Sequence, residues 1–356
     1  MTYEQLLDRK PYDMEQKEKE DWYCQYFSML TKFHKKSCPA YKNFIENLGA
    51  RDEFSSVEQI PMMPIGAFKQ MELRSVPKER IIKTITSSGT TGQSVSRIYL
   101  DEKTANNQQK TLYRIMESFI GGKRIPMLIL DSPEVLRDKT MFSARGAGIL
   151  GFSILSSKRM YAFDEHMELN IDGIMEFLKM HKEKPILVFG FTYLIWEYFY
   201  KALKKKNLTL PLEHGIMVHG GGWKKLEALA VGKEALKEGI REVSGIEKVH
   251  NYYGMAEQTG CIYMECECGH LHTSIYSDIL IRNMEDFSLS KIGEEGVIQV
   301  LSPMAESYPG HSILTEDQGI LLGVDDCPCG RKGKYFKITQ RIKNTEVRGC
   351  SDTYGG

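Results

Sequence analysis

No charge of either sign is in surplus: 47 Lys and Arg balance 47 Asp and Glu along 356 residues. Binding along a nucleic-acid backbone needs an excess of cations, so no nucleic-acid partner is expected. Long apolar runs are missing as well. Met1-Thr2-Tyr3-Glu4-Gln5 leads into Asp8-Arg9-Lys10 without the apolar core of a signal peptide. The most apolar stretch, Ile186 to Trp196, is too short to cross a bilayer and holds Gly190, Thr192 and Tyr193. No membrane span and a cytoplasmic location are therefore expected. The 12 prolines and 31 glycines are dispersed, which excludes collagen-like and low-complexity chains, and no repeat of fixed period is visible. In a reducing compartment the eight cysteines read as metal-binding or catalytic thiols rather than disulfides.

What is present suits a globular enzyme. Apolar residues make up 42% and charged residues 26%, enough for a sizeable core. At roughly 150 residues per domain the length allows about two units or one large α/β unit. Tyr23, Tyr26, Phe27, Leu30 and Phe33 recur at helical spacing between Asp13 and Lys36, with Lys17, Glu18, Lys19, Glu20 and Asp21 expected in solvent. Candidate strands are Met127–Leu130, Ile186–Phe189, Ile216–His219, Ile279–Ile281 and Val297–Leu301. Candidate helices are Glu102–Phe119, Glu165–His181, Tyr193–Lys206 and Lys224–Val243. Strands alternating with helices imply a mixed or parallel sheet covered by helices. One large domain over 1–340 is expected, with a helical part over 1–80, an α/β core and a β part at about 261–340, followed by a tail over 341–356.

Four segments carry chemistry. Thr86-Ser87-Ser88-Gly89-Thr90-Thr91-Gly92 gathers hydroxyls and amides into one small loop that can donate to phosphate oxygens. It is not a Walker A loop, because Gln93-Ser94 follows Gly92; a polar surface loop is the bland alternative. Asn251-Tyr252-Tyr253-Gly254-Met255-Ala256-Glu257 places a ring and a carboxylate after a short strand. The ring can stack on a base and Glu257 can hold Mg²⁺, or Glu257 is simply solvated at a helix start. Leu314-Thr315-Glu316-Asp317-Gln318-Gly319 reads alone as a β-turn. Gln340-Arg341-Ile342-Lys343-Asn344-Thr345-Glu346-Val347-Arg348-Gly349 reads alone as a charged edge strand.

In this order the four segments resemble the adenylate-forming superfamily of acyl- and aryl-CoA ligases, peptide-synthetase adenylation domains and luciferases. The resemblance implies that Ser87, Ser88, Gly89, Thr90, Thr91 and Gly92 embrace the phosphates of ATP. Gly220-Gly221-Gly222 and the segment from Asn251 through Tyr252, Tyr253 and Gly254 would line the adenine and acyl site. Glu257 would contact Mg²⁺, and Asp317 and Arg341 would take the ribose. The implied fold is the large N-terminal α/β domain of that superfamily, mixed sheets layered with helices. The superfamily usually continues about a hundred residues past the hinge into a lid domain that carries a catalytic lysine. This sequence ends at Gly356, so most or all of that lid is expected to be lacking, and either Lys224 or Lys225 is the candidate substitute cation or a partner supplies one.

Within the superfamily, His219-Gly220-Gly221-Gly222-Trp223-Lys224, the Tyr252–Gly260 segment and the ending Glu346–Tyr354 look like the acyl-protein synthetases of bacterial bioluminescence, the LuxE family. That resemblance covers roughly Pro61 to Tyr354. It implies activation of a fatty acid as acyl-AMP, then transfer to the chain's own Cys350 for delivery to a reductase or carrier partner. A thiolate is a strong nucleophile toward a mixed anhydride, and Arg348 and Lys343 place positive charge nearby in sequence. An external-thiol ligase similar to phenylacetate-CoA ligase is the competing enzyme, and a non-catalytic module that binds zinc and nucleotide is the competing class. Cys266-Glu267-Cys268-Gly269-His270 and Cys327-Pro328-Cys329-Gly330-Arg331 repeat one Cys-x-Cys-Gly pattern. Together Cys266, Cys268, Cys327 and Cys329 offer four thiolates, a usual structural Zn²⁺ set. His270 is the spare ligand, and His272 is expected to face away toward the active site.

Overall fold

The computed structural model describes residues 1–87, 95–137, 144–182, 184–223 and 229–342. Among them fourteen strands follow in chain order. They are β1 (Met63–Pro64), β2 (Ile81–Thr86), β3 (Arg97–Asp101), β4 (Ile125–Leu130), β5 (Ser156–Tyr161), β6 (Ile186–Phe191) and β7 (Gly215–Gly220). The rest are β8 (Lys248–Tyr253), β9 (Tyr263–Glu265), β10 (Leu271–His272), β11 (Asp278–Arg282), β12 (Glu295–Leu301), β13 (Ser312–Val324) and β14 (Lys334–Arg341). All five strands expected from apolar runs fall inside this set. The chain divides into two compact units, one of Met1–Ile115 with the described residues from Gly254 onward, the other of Met116–Tyr253. The helical part expected over 1–80 and the β part expected at about 261–340 thus belong to one unit, although the α/β core separates them in sequence.

The first unit carries an antiparallel sheet in the order β11-β12-β13-β14-β10-β9, with β1 parallel to β13 and β2-β3 as a separate hairpin. Helix Gln16–Ser37 buries Trp22, Tyr23, Tyr26, Phe27 and Leu30. Phe33, on the same spacing, stays 41% exposed. Lys19 overturns the expectation of a solvated charged run. It is buried, with Nζ 3.0 Å from Thr273 Oγ1 and 3.1 Å from the Ser277 carbonyl. Asp278 balances it, at 3.4 Å from Lys19 and 3.1 Å from Lys334. Burial alone pushes the Asp278 carboxyl up, but the two cations outweigh it and hold it below its ordinary range. A buried lysine is tolerated here because a paired carboxylate and oxygen acceptors replace its water.

The second unit is a parallel sheet in the order β8-β7-β6-β4-β5, as helix-separated strands predict. Helices run shorter or change form where the backbone has a stronger local preference. The expected Glu165–His181 helix begins only at Ile171, because Asn170 caps it through Gly173 N at 3.0 Å. The expected Lys224–Val243 helix is seen over Lys233–Ser244, where Gly232 enters in an extended conformation. The Tyr193–Lys206 helix is present as Thr192–Leu194 and Lys201–Lys206, joined by a π-helical turn over Ile195–Tyr200.

Candidate active site

In the parallel unit, the expected glycines and tyrosine meet at the C-terminal ends of neighbouring strands, where open α/β sheets bind ligands. Gly220 ends β7 in register with Tyr252 of β8 and Phe191 of β6. A Cβ on Gly220 would lie 2.6 Å from Tyr252 Cε1, so only glycine lets the ring cross over the strand end. Gly221 and Gly222 hold φ of +82° and +60°, the left-handed region that glycine enters without strain. Phe152 stacks on Phe189 at 4.3 Å and lies 5.2 Å from Tyr252, and Gly148 keeps their helix close to Phe191 and Tyr252. Phe189, Phe191, Thr192 and Leu194 are all buried, so most of the apolar stretch serves as core. His219 lies at 2.9 Å from the Thr192 hydroxyl, and burial with the nearby charges of Lys237, His250 and Lys233 drops its pKa to about 3. It is neutral and positions the strand end. Replacing Gly220 by Ala forces the Tyr252 ring aside. It is expected to cost about 1–3 kcal/mol by overpacking, read as a lower thermal midpoint; an unchanged midpoint would mean the ring swings freely.

Sequence reasoning missed one pair here. Asp131, just past β4, is buried and lies 3.1 Å from Arg145. Burial raises its pKa to about 6 against the pull of Arg145 and the Ser132 amide. The only signal was a carboxylate placed directly after an apolar strand.

In the other unit, Ser87 stands at the described end of the expected phosphate loop. Its amide donates to the Ser96 carbonyl at 3.2 Å and its hydroxyl accepts from Ser96 N at 3.0 Å. The two serines close the neck of the β2–β3 hairpin. Ser88, Gly89, Thr90, Thr91 and Gly92 lie outside the described residues, as do Lys224, Lys225 and Cys350. Ser96, which the motifs did not single out, has a buried hydroxyl without a hydrogen-bond partner among the described residues and helps to lower the Glu257 pKa. Glu257 is only 3% exposed, so the solvated helix-start alternative does not hold. Burial raises its pKa, Ser96 and its own amide pull it down, Glu316 raises it and Arg341 lowers it. Tyr308 donates to the Glu257 carbonyl at 2.7 Å and fixes the turn. Gly260 allows the close approach of Gln108, whose carbonyl would stand 2.5 Å from a Cβ.

Asp317 and Arg341 face each other in the β13–β14 register. Arg341 bonds Glu316 at 2.6 Å, and both Asp317 and Arg341 remain partly exposed. The turn and edge-strand alternatives therefore give way to paired β residues with their polar ends accessible. One unit thus collects a loop neck, a buried carboxylate and an acid–guanidinium strand pair. Asn251, Tyr252 and Tyr253 are half-buried and Gly254 is exposed.

The cysteine turns do meet, with one substitution. Ligand atoms of Cys266, Cys327, Cys329 and His272 lie within 4.8 Å of one another. Cys266 Sγ is 3.9 Å from Cys327 Sγ, and Cys329 Sγ is 3.4 Å from His272 Nε2. Cys268 is exposed and outside this group. Both turns close alike, Gly269 N on the Cys266 carbonyl and Gly330 N on the Cys327 carbonyl at 2.9 Å each, yet only the second keeps both of its cysteines in the group. Instead β10 delivers His272, which the sequence reading had facing elsewhere. His270 Nδ1 comes to 3.4 Å from Cys327 Sγ but stays outside the group of four. Burial pushes the Cys327 thiol up to about 12. Such packed thiols beside a buried imidazole fit a Cys₃His structural Zn²⁺ set, with no position left open for chemistry.

A family model described as acyl-protein synthetase, LuxE, matches residues 2–355. The long-chain-fatty-acid–luciferin-component ligase of Aliivibrio fischeri is 23% identical over 341 residues, covering 90% of this chain and 84% of the relative. Its counterpart in Vibrio harveyi is 19% identical over 330 residues, covering 90% and 83%. Among solved structures, an open conformation of 2-hydroxyisobutyryl-CoA ligase aligns with TM-score 0.72 at 14% identity, over 94% of this chain and 78% of that one. The same ligase in its postadenylation state gives 0.72 over 96% and 71%. At such identity the likeness is one of fold, that of the adenylate-forming enzymes. No helix of the described residues is long and apolar enough to cross a membrane.

Proposed function

The chain belongs to the LuxE acyl-protein synthetase family of adenylate-forming ligases, and from that premise we propose that it charges Cys350 with a fatty acyl group. Acid activation with ATP is the family's chemistry. The carboxylate oxygen attacks the α-phosphorus, the bond to pyrophosphate breaks, and acyl-AMP forms. The Cys350 thiolate then attacks the acyl carbonyl, AMP leaves with the bonding pair, and a thioester remains on the protein. Delivery to a reductase or carrier partner completes the reading.

The observation that supports it is the alignment of Asp317 with Arg341 in the unit that also holds the Ser87–Ser96 neck and the buried Glu257 carboxyl. Glu257 is the residue for Mg²⁺, which when bound neutralises phosphate charge. The neck joins Ser87 and Ser96 on either side of the loop, and Asp317 and Arg341 take the ribose hydroxyls. Gly220, Gly221, Gly222 and Tyr252 offer a flat, close backbone and a ring suited to a base or an acyl chain. Lys224 is the candidate cation for the developing charge on the α-phosphate. The test is hydroxylamine trapping with ATP across a panel of carboxylic acids. Acyl hydroxamate should form best with long chains, and no hydroxamate from any acid would sink the reading. Acylated protein without CoA-dependent product separates it from an external-thiol ligase.

Zn²⁺ belongs to the same reading as a structural ion held by Cys266, Cys327, Cys329 and His272. Gently purified protein is expected to hold one zinc per chain by elemental analysis. Chelation should lower the thermal midpoint by on the order of 10 °C. Cys327→Ser should lose the metal, and Cys268→Ser should keep it.

A further inference from the structure

The six-residue strands of the parallel unit have two ends. One carries Gly220, Phe191 and Tyr252; at about 3.3 Å per residue the other lies roughly 17 Å away. That other end is basic, in a chain with no net charge. Arg124 stands at the entry to β4, Lys158 and Arg159 lie on β5, Lys182 and Lys184 precede β6, and Lys248 opens β8. All are exposed, and none forms an ion pair among the described residues. Elsewhere in the unit two exposed lysines do pair, Lys201 with Glu197 at 2.6 Å and Lys204 with Glu242.

Two recesses open at this end. The first, about 570 Å³, is lined by Arg124, Lys158 and Arg159 together with Ser153, Ser156 and Ser157. The second, about 420 Å³, is lined by Lys182, Lys184 and Lys248, with Glu213 as its one acid. The two recesses are neighbours, because β4, entered from the first, pairs with β6, entered from the second. Near the second, burial and the charges of Lys184 and Lys158 hold the His181 ring below its ordinary pKa.

β5 is the last strand of its sheet and pairs only with β4 among the described residues. Its outer row of amides and carbonyls is therefore open to another strand. The register slips between Ile125 and Met127, and Ser157, Lys158 and Arg159 are consecutively exposed, as a bulged edge allows. Cations on an edge also guard against chance pairing. That guard role does not account for Arg124, Lys184 and Lys248, which are off the edge, nor for the serines that line the first recess. A flat lipid surface would leave the recesses unfilled, and a free nucleotide would use no strand edge.

We infer that this basic end docks an extended acidic segment of a partner protein, which adds to the open edge of β5 while carboxylates enter the recesses. Binding there leaves the opposite strand ends free for chemistry. The probe is a synthetic peptide of five Glu-Val repeats, titrated against the full chain. The expected result is saturable binding that weakens as salt rises, slowed amide exchange over Ser156–Tyr161, and at least tenfold weaker binding to the Lys158→Glu, Arg159→Glu double variant. That variant should keep its circular dichroism and its ATP–pyrophosphate exchange. No binding by the wild type, equal binding by the variant, equal binding of a Gln-Val peptide, or preference for phosphatidylglycerol vesicles or inorganic phosphate would each overturn the inference.

Discussion

Replacing Glu257 by Gln is expected to lower carboxylate-dependent ATP–pyrophosphate exchange by roughly 10²–10³-fold, the usual loss when one preorganised charge-stabilising group is removed. The amide keeps the shape and the contacts of the turn, so the fold should survive. Stability should even move the other way. Burial raises the Glu257 pKa in the folded chain, so the folded state holds this proton more tightly than the unfolded one does. The group's contribution is then fully present below its unfolded pKa and is lost as pH rises through the higher folded value. Above that folded value the wild type bears a desolvated charge that Gln does not. Glu257→Gln is accordingly expected to melt at the same temperature as the wild type or slightly above it at pH 8, with the difference vanishing near pH 4. Mg-ATP should reverse the order, stabilising the wild type more, because the cation restores what burial took from the carboxylate. Thermal melts at the two pH values, with and without Mg-ATP, check this. A variant that exchanges pyrophosphate at the wild-type rate would remove Glu257 from the site.

That carboxylate was legible because its surroundings are local. Glu257 follows its strand by four residues, and Asp317 and Arg341 lie on strands that pair in direct register, so each motif carried its own geometry. Ser96 was not legible, since its influence on Glu257 joins residues far apart in sequence and an isolated serine has no pattern. The cysteine–histidine cluster shows the same limit. Two Cys-x-Cys turns predicted a four-ligand cluster, but which four depends on the pairing of β10 with β14, which brings His272 opposite Tyr335. Lys19 reads as one more charge in a polar helix start until β11 supplies Asp278. The division into two units was hidden for the same reason: the antiparallel unit is made of the beginning and the end of the described chain. Periodicity reports which face is buried, not against what.

Cys350→Ser is expected to abolish covalent acylation while sparing activation, a loss on the order of 10²-fold or more in protein-bound label. The reason lies in the nucleophile. A thiol ionises within reach of neutral pH and attacks a mixed anhydride readily, whereas a serine hydroxyl needs a base to do so. Arg348 and Lys343 precede Cys350 in sequence, and positive charge near a thiol favours its thiolate. Wild-type protein given ATP and labelled fatty acid should retain label after denaturation and lose it to neutral hydroxylamine, as a thioester does. The variant should form acyl hydroxamate at an undiminished rate, because trapping reports acyl-AMP before any thiol is needed. Arg348→Ala is the companion test, since a slower approach to full labelling with an apparent pKa moved upward distinguishes thiolate stabilisation from mere placement. Label persisting on Cys350→Ser would assign the acyl group to another nucleophile. Label absent from both proteins, with CoA thioester in solution, would transfer the second half-reaction to an external thiol and leave only the activation step to this chain.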